Sequence, residues 1–291
     1  MTSVYISNEH IQAVSAVKSA KKLKVKLIAK RELPEGCILN GIITDETVLR
    51  AELSAMWKAF KLPKSGLRLV VESSAVSTKI LTLPNLSKPM YMKKLIAENL
   101  LSGESEDTVY DYKTLGAARD GGITVLACMT EGSFVKSYVE LFSGAGLKLA
   151  SIDLAAAGLI RMAKFCGELS ERTFVISVID RNSVSNFLFI KGEYRFSNRT
   201  RLMSNRDTPE LLDEIARMIS SLVQFNKSEK SGEDITNVYF CGFSDKEINS
   251  ASLNFDNIEF GTLPEMKSVA FQNAKSSVWT SDCVFNLGAL L

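Results

Sequence analysis

Histidine is nearly absent from this chain: its 291 residues hold one, His10. A metal site built on several histidines is thereby excluded, and Ser–His–Asp catalysis would have to run through His10 with no Gly-x-Ser-x-Gly turn to present a nucleophile. His10 is read as a solvated turn residue. Five cysteines, Cys37, Cys128, Cys166, Cys241 and Cys283, are scattered without a Cys-x-x-Cys pair. That spacing argues against both a disulfide framework and a zinc knuckle, and fits small core residues in a reducing compartment. No run approaches the ~20 apolar residues of a membrane span; the nearest, Ile152 to Phe165, is broken by Asp153, Gly158, Arg161 and Lys164. The opening MTSVYISNEH lacks the basic-then-apolar order of a secretory signal. The expectation is that a protein of this kind, if it works at a membrane, is held there by another. Excess charge is missing too: the formal net charge of +2 is too balanced for a nucleic-acid footprint. Neither Gly-x-x-x-x-Gly-Lys-Ser/Thr nor Gly-x-Gly-x-x-Gly occurs.

What is present is an ordinary globular composition, 46% hydrophobic and 23% charged, enough for two domains of roughly 100–200 residues each. Residues 1–31 read as strands: Val4-Tyr5-Ile6, a polar tip at Ser7 to His10, then Ile11 to Val17 returning. Lysines alternate with Leu23 and Val25 from Lys22 to Lys26, the period of a half-buried strand. The basic run Lys18 to Arg31 is read as an exposed strand face rather than a contact for anionic lipid. Asp45 or Thr44 can cap a helix with Leu49, Leu53, Met56, Trp57 and Phe60 on one face. Strands follow at Leu67 to Val71 and Ser77 to Leu83, a helix at Lys88 to Leu101, an acidic loop at Gly103 to Thr108, and strands at Tyr110 to Leu115 and Ile123 to Met129 around an Asp120-Gly121-Gly122 turn. Ser133 is the expected cap of a helix carrying Phe134, Tyr138, Leu141 and Phe142.

From residue 147 the opening plan returns. A strand at Leu149 to Ile152 and an Ala-rich helix, Leu154 to Phe165, precede Phe174 to Ile179, a polar tip at Asp180 to Ser183, and a hairpin of Asn186 to Ile190 with Glu193 to Arg199. VYISNEHIQAVSA and FVISVIDRNSVSNFLFI share apolar strand, polar tip and returning strand. A helix from Thr208-Pro209, a strand at Val238 to Cys241 and a closing apolar helix, Ser277 to Leu291, complete the chain.

Four stretches in order resemble the PilM family, the actin-like proteins of type IV pilus assembly: LPEGCILNGIITDETVLRAELSAMWKAFKL, STKILTLPNLSK, VKSYVELFSGAGLKLASIDLAAAGLIRM and SDCVFNLGALL. The resemblance implies an α/β, actin-like fold of two RNase H-like halves with an inserted α+β strand-helix-strand-strand subdomain. On that reading residues 1–32 open the first half, 33–146 form the insert, 147–170 return to the first half, and 171–291 form the second. It also implies a cytoplasmic scaffold at the inner face of the membrane, which binds the short cytoplasmic N-terminal tail of a PilN-like membrane protein and belongs with other pilus platform proteins.

The family's cleft binds ATP, with magnesium, between two hairpin tips whose N–H groups cradle phosphates. If nucleotide is bound here, the matching residues are Ser7, Asn8, Asp180, Asn182, Ser183 and Gly242. The pattern departs from the family's: Tyr5 and Ser7 stand for the aspartate and glycine of the first tip, and Glu9 brings negative charge to the phosphate position. No glycine precedes Asn182, Phe243 crowds the adenosine turn, and little chain separates Arg199 from Pro209. Weak or lost ATP binding is the expectation, with no catalytic residue and no metal site. For the partner tail, Ile80, Leu81, Leu83 and Leu86 are expected in or just behind the groove between insert and first half, although core packing is the plainer role of each. Two other readings stay open: a nucleotide-dependent ATPase switch of the same fold, and an FtsA-like division filament. The latter would end in a basic amphipathic helix, where this chain stops within an apolar one.

Overall fold

The computed structural model describes residues 1–20, 22–86, 89–100, 107–118, 121–206, 208–228, 232–252, 255–272 and 280–291. Lys88 and Leu101 at the ends of the expected second helix, residues 103–106 of the acidic loop expected at 103–108, Asp120 of the expected turn, and the first three residues of the expected closing helix lie outside this set.

The first sheet is built on strands β1 (Thr2–Ile6), β2 (His10–Lys18) and β3 (Leu23–Glu32), an antiparallel meander whose first tip is Ser7 to Glu9. The short hairpin β4 (Ile38–Leu39) and β5 (Ile42–Ile43) leads into helix α1 (Glu46–Phe60). The Asp45 carboxylate accepts from the Val48 N–H and caps α1. Leu49, Leu53, Met56 and Trp57 are buried beneath it as the periodicity requires, while Phe60 is turned out and 42% exposed. Strand β6 (Leu67–Val71) then lies parallel beside β1, and strand β10 (Leu149–Leu154) lies parallel beside β6. The order β10-β6-β1-β2-β3 is continued by β16 (Val269–Phe271), which pairs with the start of β3.

Between β6 and β10 the chain makes a separate lobe. Strands β7 (Ser77–Leu83), β8 (Thr108–Ala117) and β9 (Ile123–Glu131) form a sheet of order β7-β9-β8, accompanied by helix α2 (Pro89–Leu100). Its own small core joins Leu81, Leu83, Met92, Ile96, Val125 and Ala127. Helix α3 (Gly132–Gly144) returns to the first half and packs with α1 through Tyr138, Leu141 and Phe142. Ser133 does not cap α3: its N–H and that of Gly132 are met by the Asp107 carboxylate and carbonyl.

Helix α4 (Ala155–Phe165) leads to the second half. Strands β11 (Phe174–Asp180), β12 (Ser183–Ile190) and β13 (Glu193–Arg201) repeat the meander. Helix α5 (Pro209–Ser228), strand β14 (Asn237–Cys241), helix α6 (Asp245–Ser252) and strand β15 (Glu259–Gly261) follow. The order β13-β12-β11-β14-β15 is that of the first sheet without its sixth strand. Two like sheets therefore confirm the doubled plan seen in the sequence, an actin-like arrangement of two RNase H-like halves.

The expected boundaries need two corrections. The insert is not 33–146: α1 and β6 belong to the first half, because β6 hydrogen-bonds β1 and α1 shares a core with Val4, Ile6 and Ile11. Only the stretch from β7 to β9 stands apart. Nor does the second half hold all of 171–291, since β16 joins the first sheet and helix α7 (Val284–Leu290) packs between the halves. Glycine makes that packing possible: α7 crosses α4 where Gly288 meets Gly158, and a Cβ on Gly288 would lie 2.5 Å from a Gly158 backbone carbon. Of the expected closing helix, residues 280–282 are helical, a turn at Cys283 interrupts it, and α7 carries it on from Val284.

Candidate functional site

The two meanders bring their tips face to face. Antiparallel pairing of β1 with β2 ends at Ile6 and Ile11, and that of β11 with β12 ends at Asp180 and Ser183. At the first tip the Ser7 hydroxyl accepts from the N–H groups of Glu9 and His10, at 3.1 and 3.0 Å. The Asn8 N–H points across the cleft and is taken by the Asp180 carboxylate, at 2.9 Å to Oδ1 and 3.1 Å to Oδ2. A tip N–H that could face a phosphate is thus already occupied by a carboxylate of the opposite half.

Asp180 is held in turn by Arg199 on β13, whose Nη2 donates to Oδ2 at 3.0 Å. The other end of the guanidinium donates to Glu72, the residue after β6, and to the Ser185 hydroxyl at 3.0 Å. The three side chains are 9% (Arg199), 12% (Glu72) and 6% (Asp180) exposed. One cation therefore serves two buried carboxylates, one from each half. The local excess is negative, which disfavours a phosphate ester at the same place. Burial pushes the Glu72 carboxyl up despite the opposing pull of Arg199. Burial, with Asp180 and Glu72 nearby, also drives the Tyr5 phenol well above its usual range.

Beside this clasp lies a pocket of about 200 Å³ bordered by Tyr5, Ser7, Glu9, His10, Asp180 and Gly242, among others. That is below the ~300–1,000 Å³ of ordinary ligand pockets. His10 is not the solvated residue expected from the sequence: burial, helped by Lys30, lowers its imidazole to about 3, so it stays neutral. The adenosine turn is also filled. Arg206 forks onto Glu247 with two contacts of 2.7 Å, donates to the Gly242 carbonyl at 3.2 Å, and lies 5.9 Å from the centre of the Phe243 ring. Burial would raise Glu247, but Arg206 and the Ser244 backbone hold its carboxyl below the usual value. Of the six residues matched to the nucleotide site, Ser7, Asp180 and Gly242 border the pocket, Asn8 joins the clasp, and Asn182 and Ser183 serve the second tip. The Asn182 carbonyl accepts from Leu202, and Ser183 pairs with Asp180 and Arg201.

A larger opening, about 420 Å³, lies between the lobe and the first half. Five consecutive residues of β8, Val109 to Lys113, line one wall with Leu126, Cys128, Met129 and Thr130 of the inner strand β9, so the opening takes in the edge of β8 and the sheet face beside it. β8 is the outer strand of its sheet. Ile152 to Leu154, Ala157 and Arg161 form the opposite wall, with Phe134 and Val135 of α3 nearby. Arg161 bonds Asp153 and donates to the Gly288 carbonyl at 3.0 Å, fixing an ion pair at the base of the groove. The groove offers apolar pockets beside a strand edge, the two requirements for holding an extended peptide.

The residues expected at that groove are elsewhere. Leu81 and Leu83 are 8% and 5% exposed and pack on Met92 and Ile96 inside the lobe. Ile80, on the other face of β7, lines a separate recess of about 150 Å³ with Leu115, Ile160 and Tyr194. Leu86 is 39% exposed, beyond the strand, and borders neither space. Period-2 alternation separates Ile80 from Leu81 and Leu83, and cannot say which of the two faces looks into the lobe. The wall actually formed by β8 carries its own signal, Val109-Tyr110-Asp111-Tyr112-Lys113, which alternates in the same way.

Among the described residues there is no helix long and apolar enough to cross a membrane, no cluster of three or more metal-binding side chains, and no disulfide.

No family model matches the chain, and no curated protein matches its sequence. Solved structures do share its fold. A chain of the PilM–PilN type IV pilus biogenesis complex superposes with a TM-score of 0.80 at 17% identity, covering 99% of this chain and 97% of that one. A Bacteroides thetaiotaomicron protein with an actin-like ATPase fold and unknown function gives 0.55 at 12% identity, over 99% and 94%. The cytoplasmic domain of EpsL, an inner-membrane component of the Vibrio cholerae type II secretion system, gives 0.52 at 10% identity, over 99% and 94%. The chain has the actin-like fold of these proteins.

Proposed function

We propose that this chain is a PilM-type scaffold of a type IV pilus assembly platform, and that it receives the cytoplasmic tail of a PilN-like membrane protein in the groove between its lobe and its first half. The observation that carries the reading is the exposed edge of β8 along an apolar opening of about 420 Å³. An extended tail would add main-chain hydrogen bonds along β8 while alternate side chains enter the opening. The likeness in fold to a chain of the PilM–PilN complex, over almost the full length of both, supports the choice of partner. On this reading the protein lies at the inner face of the membrane through its partner.

The same proposal gives the cleft a structural role with ATP weakly bound or not bound, supported by the Asp180 carboxylate on the Asn8 N–H and by the Arg206–Phe243 contact. A dye-labelled tail peptide of the neighbouring PilN-like protein tests the groove. Val109 is 45% exposed, so Val109→Asp should leave the fold intact and weaken the peptide at least about tenfold, the effect of placing a charge against an apolar contact. Peptide binding unchanged by Val109→Asp would move the site elsewhere. A thermal-shift titration revealing micromolar affinity for ATP with magnesium would favour the nucleotide-switch reading instead.

A further inference from the structure

The first sheet is electrically polarised along its strands. At the cleft edge Glu9 stands at the first tip, Glu32 ends β3 beside Lys30 and Arg31, and Glu72 after β6 and Asp153 near the end of β10 are paired with Arg199 and Arg161. At the opposite edge the strand ends are flanked by lysine. Register fixes this edge: Leu149 pairs with Leu67, Leu67 with Thr2, Thr2 with Ser15, Lys18 with Leu23, and Leu23 with Val269. Lys148 therefore precedes β10, Lys61 and Lys64 precede β6, Lys22 and Lys24 stand at the start of β3, and Lys267 precedes β16. All are exposed. Lys26 joins them as the extra residue of a bulge opposite Ser15 and Ala16. The backbone binds neighbours together here, since the Lys148 N–H donates to the Lys64 carbonyl at 2.8 Å.

No aspartate or glutamate occurs in residues 10–31, 53–71 or 141–152, and Glu265 is the one carboxylate in the approach to β16. Lys18 is excepted from the free charges, because its ammonium donates to the Leu291 carbonyl oxygen. A chain with a net charge of only +2 thus gathers basic residues from four separated segments onto one edge. Read from sequence, the run Lys18 to Arg31 is one solvated strand; the added lysines of the other three segments appear only once the sheet is assembled.

From this polarity we infer that the lysine edge is a docking surface for anionic lipid headgroups. The chemistry favours a membrane surface over a nucleic acid. The free cations are lysines, compact hydrated charges suited to a diffuse anionic layer. Arg68, the arginine of this edge, spends its guanidinium on the Ala289 carbonyl at 2.8 Å. Exposed apolar side chains accompany the charges: Val17 is 50% and Phe60 42% exposed, and both can enter the headgroup layer. The inference does not depend on which peptide fills the groove, which lies at the other end of β6 and β10.

The test is sedimentation of the full chain with phosphatidylcholine vesicles containing about 30% phosphatidylglycerol, beside vesicles of phosphatidylcholine alone. Each lysine near an anionic surface contributes about fivefold to partitioning, so K24E/K26E/K61E/K64E should lower it by at least about a hundredfold. The same variant, checked by its circular-dichroism melt, should keep its fold because all four side chains are exposed. Binding to anionic vesicles only, weakened by salt and lost in the variant, is the expected result. No binding to anionic vesicles at low salt overturns the inference, and so does binding that the variant retains. Tight, salt-sensitive capture of a DNA duplex without vesicle binding overturns it too, and assigns the edge to nucleic acid.

Discussion

Removing the charge of Arg199 while keeping its length tests the clasp directly. In Arg199→Met, Glu72 and Asp180 keep their burial but lose the cation they share, and no other ion pair reaches either of them among the described residues. Breaking a buried pair from one side costs about 3–5 kcal/mol, because the remaining charge stays out of water. With two carboxylates stranded, the loss belongs at the upper end of that range. Proton uptake limits it. The folded Glu72 carboxyl already sits above its ordinary value, and without Arg199 it rises further. A folded state that binds more protons than the unfolded one loses stability as pH rises. The variant's deficit should therefore be largest at neutral pH and shrink toward pH 5 or so. Urea unfolding followed by circular dichroism, at both pH values, measures it. Arg199→Met with Glu72→Gln should recover part of the loss at neutral pH, since one of the two stranded charges is gone. A deficit under about 1 kcal/mol that is the same at both pH values would refute the clasp, since an exposed ion pair is worth that much.

His10 gives a second pH effect. Its imidazole titrates at about 3 in the folded protein, against 6.5 unfolded. The unfolded chain alone takes up the proton between those values, so stability falls as pH drops below about 6, by up to about 1.4 kcal/mol per unit. Denaturation midpoints at stepped pH should show this slope in the natural chain and lose it in His10→Gln. At the crossing of α4 and α7, the two glycines should differ. A Cβ on Gly288 meets Gly158 backbone atoms at 2.5 and 2.6 Å, whereas one on Gly158 meets its nearest neighbour at 3.2 Å. Gly288→Ala should cost at least about 2 kcal/mol of overpacking, and Gly158→Ala less, part of it offset by helix propensity; equal melting shifts would refute the crossing.

The repeated strand-tip-strand was legible because both copies alternate apolar strands with polar tips, and the tips did prove to meet. α1 was legible for a local reason: Asp45 caps it and its apolar residues recur with helical spacing. The boundaries of the lobe were not, because whether Leu67 to Val71 joins the lobe or the first sheet depends on pairing with Thr2 to Tyr5, some sixty-five residues earlier, and periodicity carries no partner. β16 was missed for the same reason, being three residues long with no pattern of its own. At the cleft, sequence matching found Asp180 and Asn8 but not the ionic partners of the clasp, Glu72 and Arg199. Glu72 and Arg199 lie 127 positions apart, and each looks like an ordinary strand-end charge until the fold buries it.

The clasp also bears on what this actin-like fold can do. Two halves meeting at a cleft make a hinge when their contact depends on what lies between them. Here the protein's own groups bridge the cleft, with the Glu72 side chain and the Asn8 main-chain N–H from the first half and the Asp180 and Arg199 side chains from the second. Away from the tips, β16 commits the late chain to the first sheet, and the Gly158–Gly288 crossing locks α7 against α4. Opening the cleft would break the buried ion network and the Asn8–Asp180 hydrogen bonds together. The lobe has a core of its own, and it also packs on the body through Leu126, Ile80 and Leu115, with the Lys164 ammonium donating to the Leu115 carbonyl at 2.7 Å. A peptide in the groove would therefore touch both the lobe and the body that these contacts join.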